Sequence, residues 1–261
     1  MPTTRSDGVT LHYDTAGSGE PVVFVPDAGY GAWQWAWQYD GLAGPYRTIV
    51  WDLPGTGQSD TPPGPYAVGT LAADLEAVLA ATDVRSVHVV GAGLGGMIAL
   101  QYAREFDRAR TLTLFGTAPR GDLVDRDTLR MLHPPDPSPE ERRESLSGAF
   151  SAEFRATQSE TIDRICEWRS AEDAGENGFE AQVAAMSDFE AGPLYELTLP
   201  TLVCHGLADP VVEMEVGREL AAALPRGAFE PVEGRRLCHV EHSRAVTDRL
   251  DGFLTEHSRE E

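Results

Sequence analysis

Apolar and polar positions along this chain follow two periods that alternate in a regular order. Residues 9–14 alternate as a half-buried strand does. Gly17-Ser-Gly-Glu-Pro21 reads as a turn. Val22-Val-Phe-Val25 and Thr48-Ile-Val-Trp51 are short continuous apolar runs, the pattern of strands buried on both faces. The period then becomes helical, because Leu71, Leu75, Val78 and Leu79 share one face of a helix over 71–80. Val87-His-Val-Val90 is another buried strand, a helix begins over 96–102, and 110–115 alternates as a strand. Strands alternating with helices predict an α/β fold, a mostly parallel sheet with helices on both faces.

The pattern changes after Thr117-Ala-Pro-Arg120. From about residue 122 to 197 charge is dense, and His133-Pro-Pro-Asp-Pro-Ser-Pro139 interrupts it. Segments 140–154 and 157–170 look helical, and the acidic runs Glu172-Asp173 and Glu176 read as solvated surface. Alternation returns at Pro200-Thr-Leu-Val-Cys-His-Gly206, and a last helix covers about 245–257. The order predicts an α/β core of residues 1–118 and 196–261, interrupted by a helical cap of residues 119–195.

Charge narrows the function classes. The 261 residues carry 42 acidic and 21 basic side chains, a net charge of −21. Such a surface disfavours nucleic acid and anionic membranes as partners. Every basic residue is Arg, and none is Lys. An acidic surface of this density suits a salt-rich cytoplasm, as in halophiles, where ions screen its self-repulsion. No run reaches the roughly 18 apolar residues of a membrane span. The opening Met1-Pro-Thr-Thr-Arg-Ser-Asp7 lacks the basic-then-apolar pattern of a signal peptide, so the expected location is cytoplasmic. Cys166, Cys204 and Cys238 are widely spaced, without metal-binding spacing, and read as three free thiols. No metal and no cofactor is expected. Oligomeric state is left open.

Five segments, in order and spacing, resemble the α/β-hydrolase superfamily. They are Pro21-Val-Val-Phe-Val-Pro-Asp-Ala-Gly29, Trp51-Asp-Leu-Pro-Gly-Thr-Gly-Gln-Ser-Asp60, Val87-His-Val-Val-Gly-Ala-Gly-Leu-Gly-Gly-Met97, Pro200-Thr-Leu-Val-Cys-His-Gly-Leu-Ala-Asp-Pro210 and the stretch from Val232 to Leu254. The resemblance implies a nucleophile on a tight strand-to-helix turn, G-x-S-x-G, with backbone N–H groups aimed at an oxyanion. Here that turn reads Gly91-Ala-Gly93-Leu-Gly95, so the nucleophile position holds only hydrogen. Gly206-Leu-Ala-Asp209 places Asp209 at the triad carboxylate. Counting back from the last helix puts the triad histidine's place at Arg236, which cannot act as a general base and could instead pair bidentately with Asp209. His239 is the nearby imidazole that a shifted register could bring to Asp209. Where the family usually has His-Gly after the second strand, this chain has Pro26-Asp27.

The resemblance therefore implies a protein without ordinary serine-hydrolase activity. Asp27, Ala28, Gly93, Leu94 and Arg236 would line a pocket between core and cap, enlarged by the missing side chain at 93, for a small, partly apolar molecule. The alternative is an ester or lactone hydrolase, or a lyase, with a rearranged site using Asp209 and His239. Cys238, in the same loop, is a weaker candidate nucleophile. A second alternative is a dinucleotide site, since Gly91, Gly93 and Gly96 also satisfy G-x-G-x-x-G, although the acidic residue expected at the end of the next strand is missing from Leu114-Phe-Gly-Thr117. Trp33, Trp35 and Trp37 either line a ligand pocket or pack the base of the following helix.

Overall fold

The computed structural model describes residues 2–258. Eight strands form one sheet: β1 (Thr3–Ser6), β2 (Val9–Gly17), β3 (Glu20–Val25), β4 (Tyr46–Trp51), β5 (Val87–Ala92), β6 (Ala109–Phe115), β7 (Thr201–Gly206) and β8 (Gly227–Val232). Their order is β1-β2-β4-β3-β5-β6-β7-β8. β1–β2 and β2–β4 pair antiparallel, and every later pair is parallel. The predicted α/β class, with its mostly parallel sheet, is the observed one.

The central strands read as apolar runs because both faces are covered. Successive side chains separate by face. Val23 and Val25 of β3 join one core cluster with Leu71, Leu75 and Met97, while Val22 and Phe24 join another with Trp35, Leu250 and Phe253. Helices α1 (Ala36–Leu42), α2 (Val68–Ala81) and α3 (Leu94–Glu105) follow the early strands. Between β6 and β7 lie α4 (Arg126–Leu132), α5 (Pro139–Ser145), α6 (Ala152–Thr157), α7 (Ser159–Glu172) and α8 (Glu176–Ser187), and α9 (Met214–Ala223), α10 (Cys238–Glu241) and α11 (Ser243–Glu256) complete the chain. The helix expected over 140–154 is two short helices, each started by its own capping serine, Ser138 and Ser151. Strand β8 and helices α8 and α9 were not anticipated: β8 is only half-buried, so its apolar signal is weak.

The loops that leave the parallel strands at their C-terminal ends carry Asp27, Gly93, Gly116 and Asp209. In such sheets this is the edge where side chains from separate loops converge.

Candidate functional site

The turn from β5 into α3 sets the geometry. Gly93 has φ +48° and ψ −111°, in the left-handed range that glycine enters without a Cβ penalty. Its N–H donates to the Phe115 carbonyl at 2.9 Å, and its own carbonyl accepts from Thr117 Oγ1 at 2.7 Å. Leu94, the first residue of α3, therefore presents an N–H with no partner inside the helix. Asp27 Oδ1 accepts it at 2.9 Å, and the same oxygen accepts the Ala28 N–H at 2.8 Å. Two backbone donors from separate loops converge on one carboxylate oxygen. Leu94, next after position 93, and Ala28, in the loop after β3, stand where the resemblance to α/β-hydrolases would put the two oxyanion donors.

The other Asp27 oxygen meets Arg236, with Nε at 2.9 Å and Nη2 at 2.7 Å. Arg236 Nη1 donates to Asp209 Oδ2 at 3.0 Å and also to the Gly116 carbonyl. Asp209 Oδ1 accepts the Val211 and Val212 N–H groups at 2.9 and 3.3 Å. One guanidinium thus bridges two carboxylates, and all three side chains are buried. Burial opposes the charge on Arg236, but Asp27 and Asp209 outweigh it and raise its pKa, so the cation is held. The two carboxylates and one cation leave one net negative charge, which the four backbone N–H groups oppose. The two-nitrogen clasp forms with Asp27, whereas Asp209 receives a single guanidinium bond.

Gly93 does not enlarge a cavity. A Cβ there would overlap Asp27 Oδ1 and Arg236 Nη2. Asp27, Ala28, Gly93, Leu94 and Arg236 are brought together, but as packed, buried groups rather than as pocket walls. The same occupancy removes the phosphate position of the dinucleotide alternative, because the N–H at the start of α3 already holds a carboxylate.

His239 does not join Asp209. Its ring lies between Trp35 and Phe115, at 4.5 and 5.3 Å between centroids, and neither nitrogen has a hydrogen-bond partner. It sits on the short helix α10, which turns it into the apolar cluster beneath the sheet edge. Burial, with Arg236 adding to it, lowers its pKa to about 3. The imidazole nearest Asp209 is His205, with Nε2 at 3.6 Å from Oδ2, but that nitrogen also lies 2.9 Å from the Val212 carbonyl. Cys238 is buried, and burial pushes its thiol up to about 12, away from thiolate character.

His239 makes a pH-dependent prediction. An unfolded imidazole takes up a proton near 6.5, and the folded one only near 3. The unfolded state therefore binds more protons between these values, and stability falls as pH drops through that window. His239→Leu removes this proton uptake and the two unpartnered nitrogens. It should raise stability at pH 7 by about 1 kcal/mol. In denaturant titrations its advantage over the parent should widen, on the order of 4 kcal/mol, as pH falls from 6.5 toward 3.

Side chains from the helical stretch between β6 and β7 tie it to the loop after β3. Three consecutive N–H groups, of Gly31, Ala32 and Trp33, donate to Asp173, Asp52 and Glu172 at 3.4, 3.4 and 3.1 Å. Glu172 and Asp173 are therefore half-buried acceptors for the loop after β3 and not a freely solvated run, whereas Glu176 is exposed. Arg169 supports them, donating to Asp173 Oδ2 at 2.6 Å, Ser145 Oγ at 2.8 Å and the Leu132 carbonyl at 2.8 Å. Gln182 Oε1 accepts from Gly29 N at 2.7 Å while its Nε2 donates to the Pro54 carbonyl at 2.8 Å. Trp33 and Trp37 pack on Trp168 of α7, and Trp35 packs on Phe24 and Phe115, so the three tryptophans are packing residues. A cleft of about 370 Å³ lies among the helices between β6 and β7, lined by His133, Pro134, Pro135, Arg142, Glu176 and Phe179 among others. Among the described residues no cluster of His, Cys, Asp and Glu suits a metal ion, and no helix is long and apolar enough to cross a membrane.

Residues 20–144 match a family model described as the alpha/beta hydrolase fold. The 2-hydroxy-6-oxononadienedioate/2-hydroxy-6-oxononatrienedioate hydrolase of Paraburkholderia phymatum is 28% identical over 261 residues, covering 94% of this chain and 90% of that protein. The 3-oxoadipate enol-lactonase 2 of Acinetobacter baylyi is 22% identical over 266 residues, covering 97% and 96%. A more local match, 33% identical over 123 residues, spans 46% of a relative from Azorhizobium caulinodans. A thermophilic esterase from Thermogutta terrifontis superposes with a TM-score of 0.83 at 25% identity, over 98% of this chain and 97% of that one. Sheet order, matched segment and full-length likeness together give the chain the α/β-hydrolase fold.

Proposed function

We propose that this protein is a non-hydrolytic member of the superfamily, a binding protein whose former reaction centre is an internal ion-pair lock. One observation carries the reading: Asp27 Oδ1 takes both N–H groups of the oxyanion position, beside a residue 93 that has no side chain. Acyl transfer needs an attacking group, a base and an empty oxyanion position. Gly93 supplies no attacking atom. Arg236 stays protonated where the base would stand, and Asp27 fills the third place. A carboxylate there would also repel a developing oxyanion.

The ligand site consistent with this reading is the cap cleft. Its volume falls in the range of small-molecule pockets, and its lining mixes Phe179 and prolines with Arg142 and Glu176. That composition fits a small, partly apolar molecule. The relatives named above are hydrolases, which favours the rearranged ester or lactone hydrolase as the second reading. It requires His239 to reach Asp209, and the two side chains share no hydrogen bond.

Turnover of p-nitrophenyl acetate and butyrate in molar salt separates the readings. The lock predicts no rate above buffer, whereas clear turnover abolished by Asp209→Asn would establish the hydrolase. The working environment we infer is a salt-rich cytoplasm, on the net charge of −21 with Arg as the sole cation. The melting temperature should accordingly rise from dilute to molar NaCl, and a salt-independent melting temperature would refute that inference.

A further inference from the structure

We propose that Ala28 N–H, Leu94 N–H and the Arg236 guanidinium form a carboxylate-binding site whose resident ligand is the chain's own Asp27. The inference rests on reading this region as an ion-pair lock. It goes further in treating the lock as a receptor and an occupant that can be separated.

The receptor has two parts. The N–H groups of Ala28 and Leu94 converge on one oxygen at 2.8 and 2.9 Å, and Nε and Nη2 of Arg236 take the other at 2.9 and 2.7 Å. The Leu94 donor and Arg236 each have anchors besides Asp27. The Leu94 donor is fixed by α3 and by the Gly93 bonds to Phe115 and Thr117. Arg236 is fixed by Asp209 and the Gly116 carbonyl. The charge-assisted bonds select an anion, and the separation of donors onto two oxygens selects a planar carboxylate over a spherical halide. Gly93 is part of the device, since any Cβ there would overlap the occupant.

Asp27→Gly removes the occupant together with its Cβ and leaves space for a one-carbon acid. Formate is the probe, acetate the larger comparison. Thermal unfolding is followed at constant ionic strength while formate replaces chloride in steps. Mass action predicts a saturable rise in the melting temperature of Asp27→Gly, reaching about 5 °C. Acetate should act more weakly, because its methyl group meets the backbone at residue 27. The parent protein and Asp27→Asn should show no such rise, since both keep a side chain in the receptor. If Asp27→Gly does not fold in chloride, recovery of folded protein in formate supports the site, and failure in formate while Asp27→Asn folds overturns it. Equal formate slopes for Asp27→Gly and the parent would also overturn it. The readout is stability, so ester turnover by the parent would sink the proposed function and leave this test standing.

Discussion

Arg236→Ala lowers the stability of the folded protein by about 3–5 kcal/mol, the cost of breaking a buried ion pair by removing one partner. The cause is local. Asp27 and Asp209 are both buried, and Arg236 is the cation both of them touch. Without it, two carboxylates face one another across a dry space, each keeping its backbone N–H groups but neither a positive charge. Chemical denaturation in molar salt measures the loss. Arg236→Lys should recover only part of it, because a single ammonium nitrogen cannot reach Asp27, Asp209 and the Gly116 carbonyl at once as the separate guanidinium nitrogens do. A loss below about 1 kcal/mol, the size of an exposed pair, would mean that the three charges are not coupled as described.

Placing a hydroxyl at position 93 alone should give no esterase. Gly93→Ser puts a Cβ into the space of Asp27 Oδ1 and Arg236 Nη2 and forces a side chain into the left-handed region. The single variant should be destabilised by at least about 2 kcal/mol and remain without esterase activity. The triple variant Asp27→Gly, Gly93→Ser, Arg236→His empties the oxyanion position, supplies an attacking oxygen and puts an imidazole next to Asp209. Freeing two backbone donors and adding a base should raise p-nitrophenyl ester turnover at least about 100-fold over the parent. A folded triple variant as inert as the parent would contradict the roles assigned to these three positions.

The contrast between these two variants also marks what could be read in the residues. The strands were legible because Val22-Val-Phe-Val25 and Val87-His-Val-Val90 are buried on both faces and must be apolar throughout. Gly93, Asp209 and Arg236 were legible as positions because the resemblance to α/β-hydrolases assigns the nucleophile, acid and base to motifs at strand ends and to a count back from the last helix. Their meeting with Asp27 was not. A carboxylate after β3 and an arginine 209 residues later carry no mutual signal in one sequence, and an acidic residue at an oxyanion loop reads as repulsion until its hydrogen bonds are seen. His239 misled for the opposite reason. An imidazole beside the triad loop suggests chemistry, yet helix α10 turns it toward Trp35. Glu172 and Asp173 misled through composition, since a charged run usually faces water, and here it accepts the backbone N–H groups of Trp33 and Gly31.

The central claim is that the oxyanion position is filled and no residue near it can attack an electrophile. Intact-mass analysis of the parent protein after incubation with a fluorophosphonate in molar salt tests this most directly. An unchanged mass is the predicted result. A stoichiometric adduct mapped to any residue at the C-terminal edge of the sheet would contradict it.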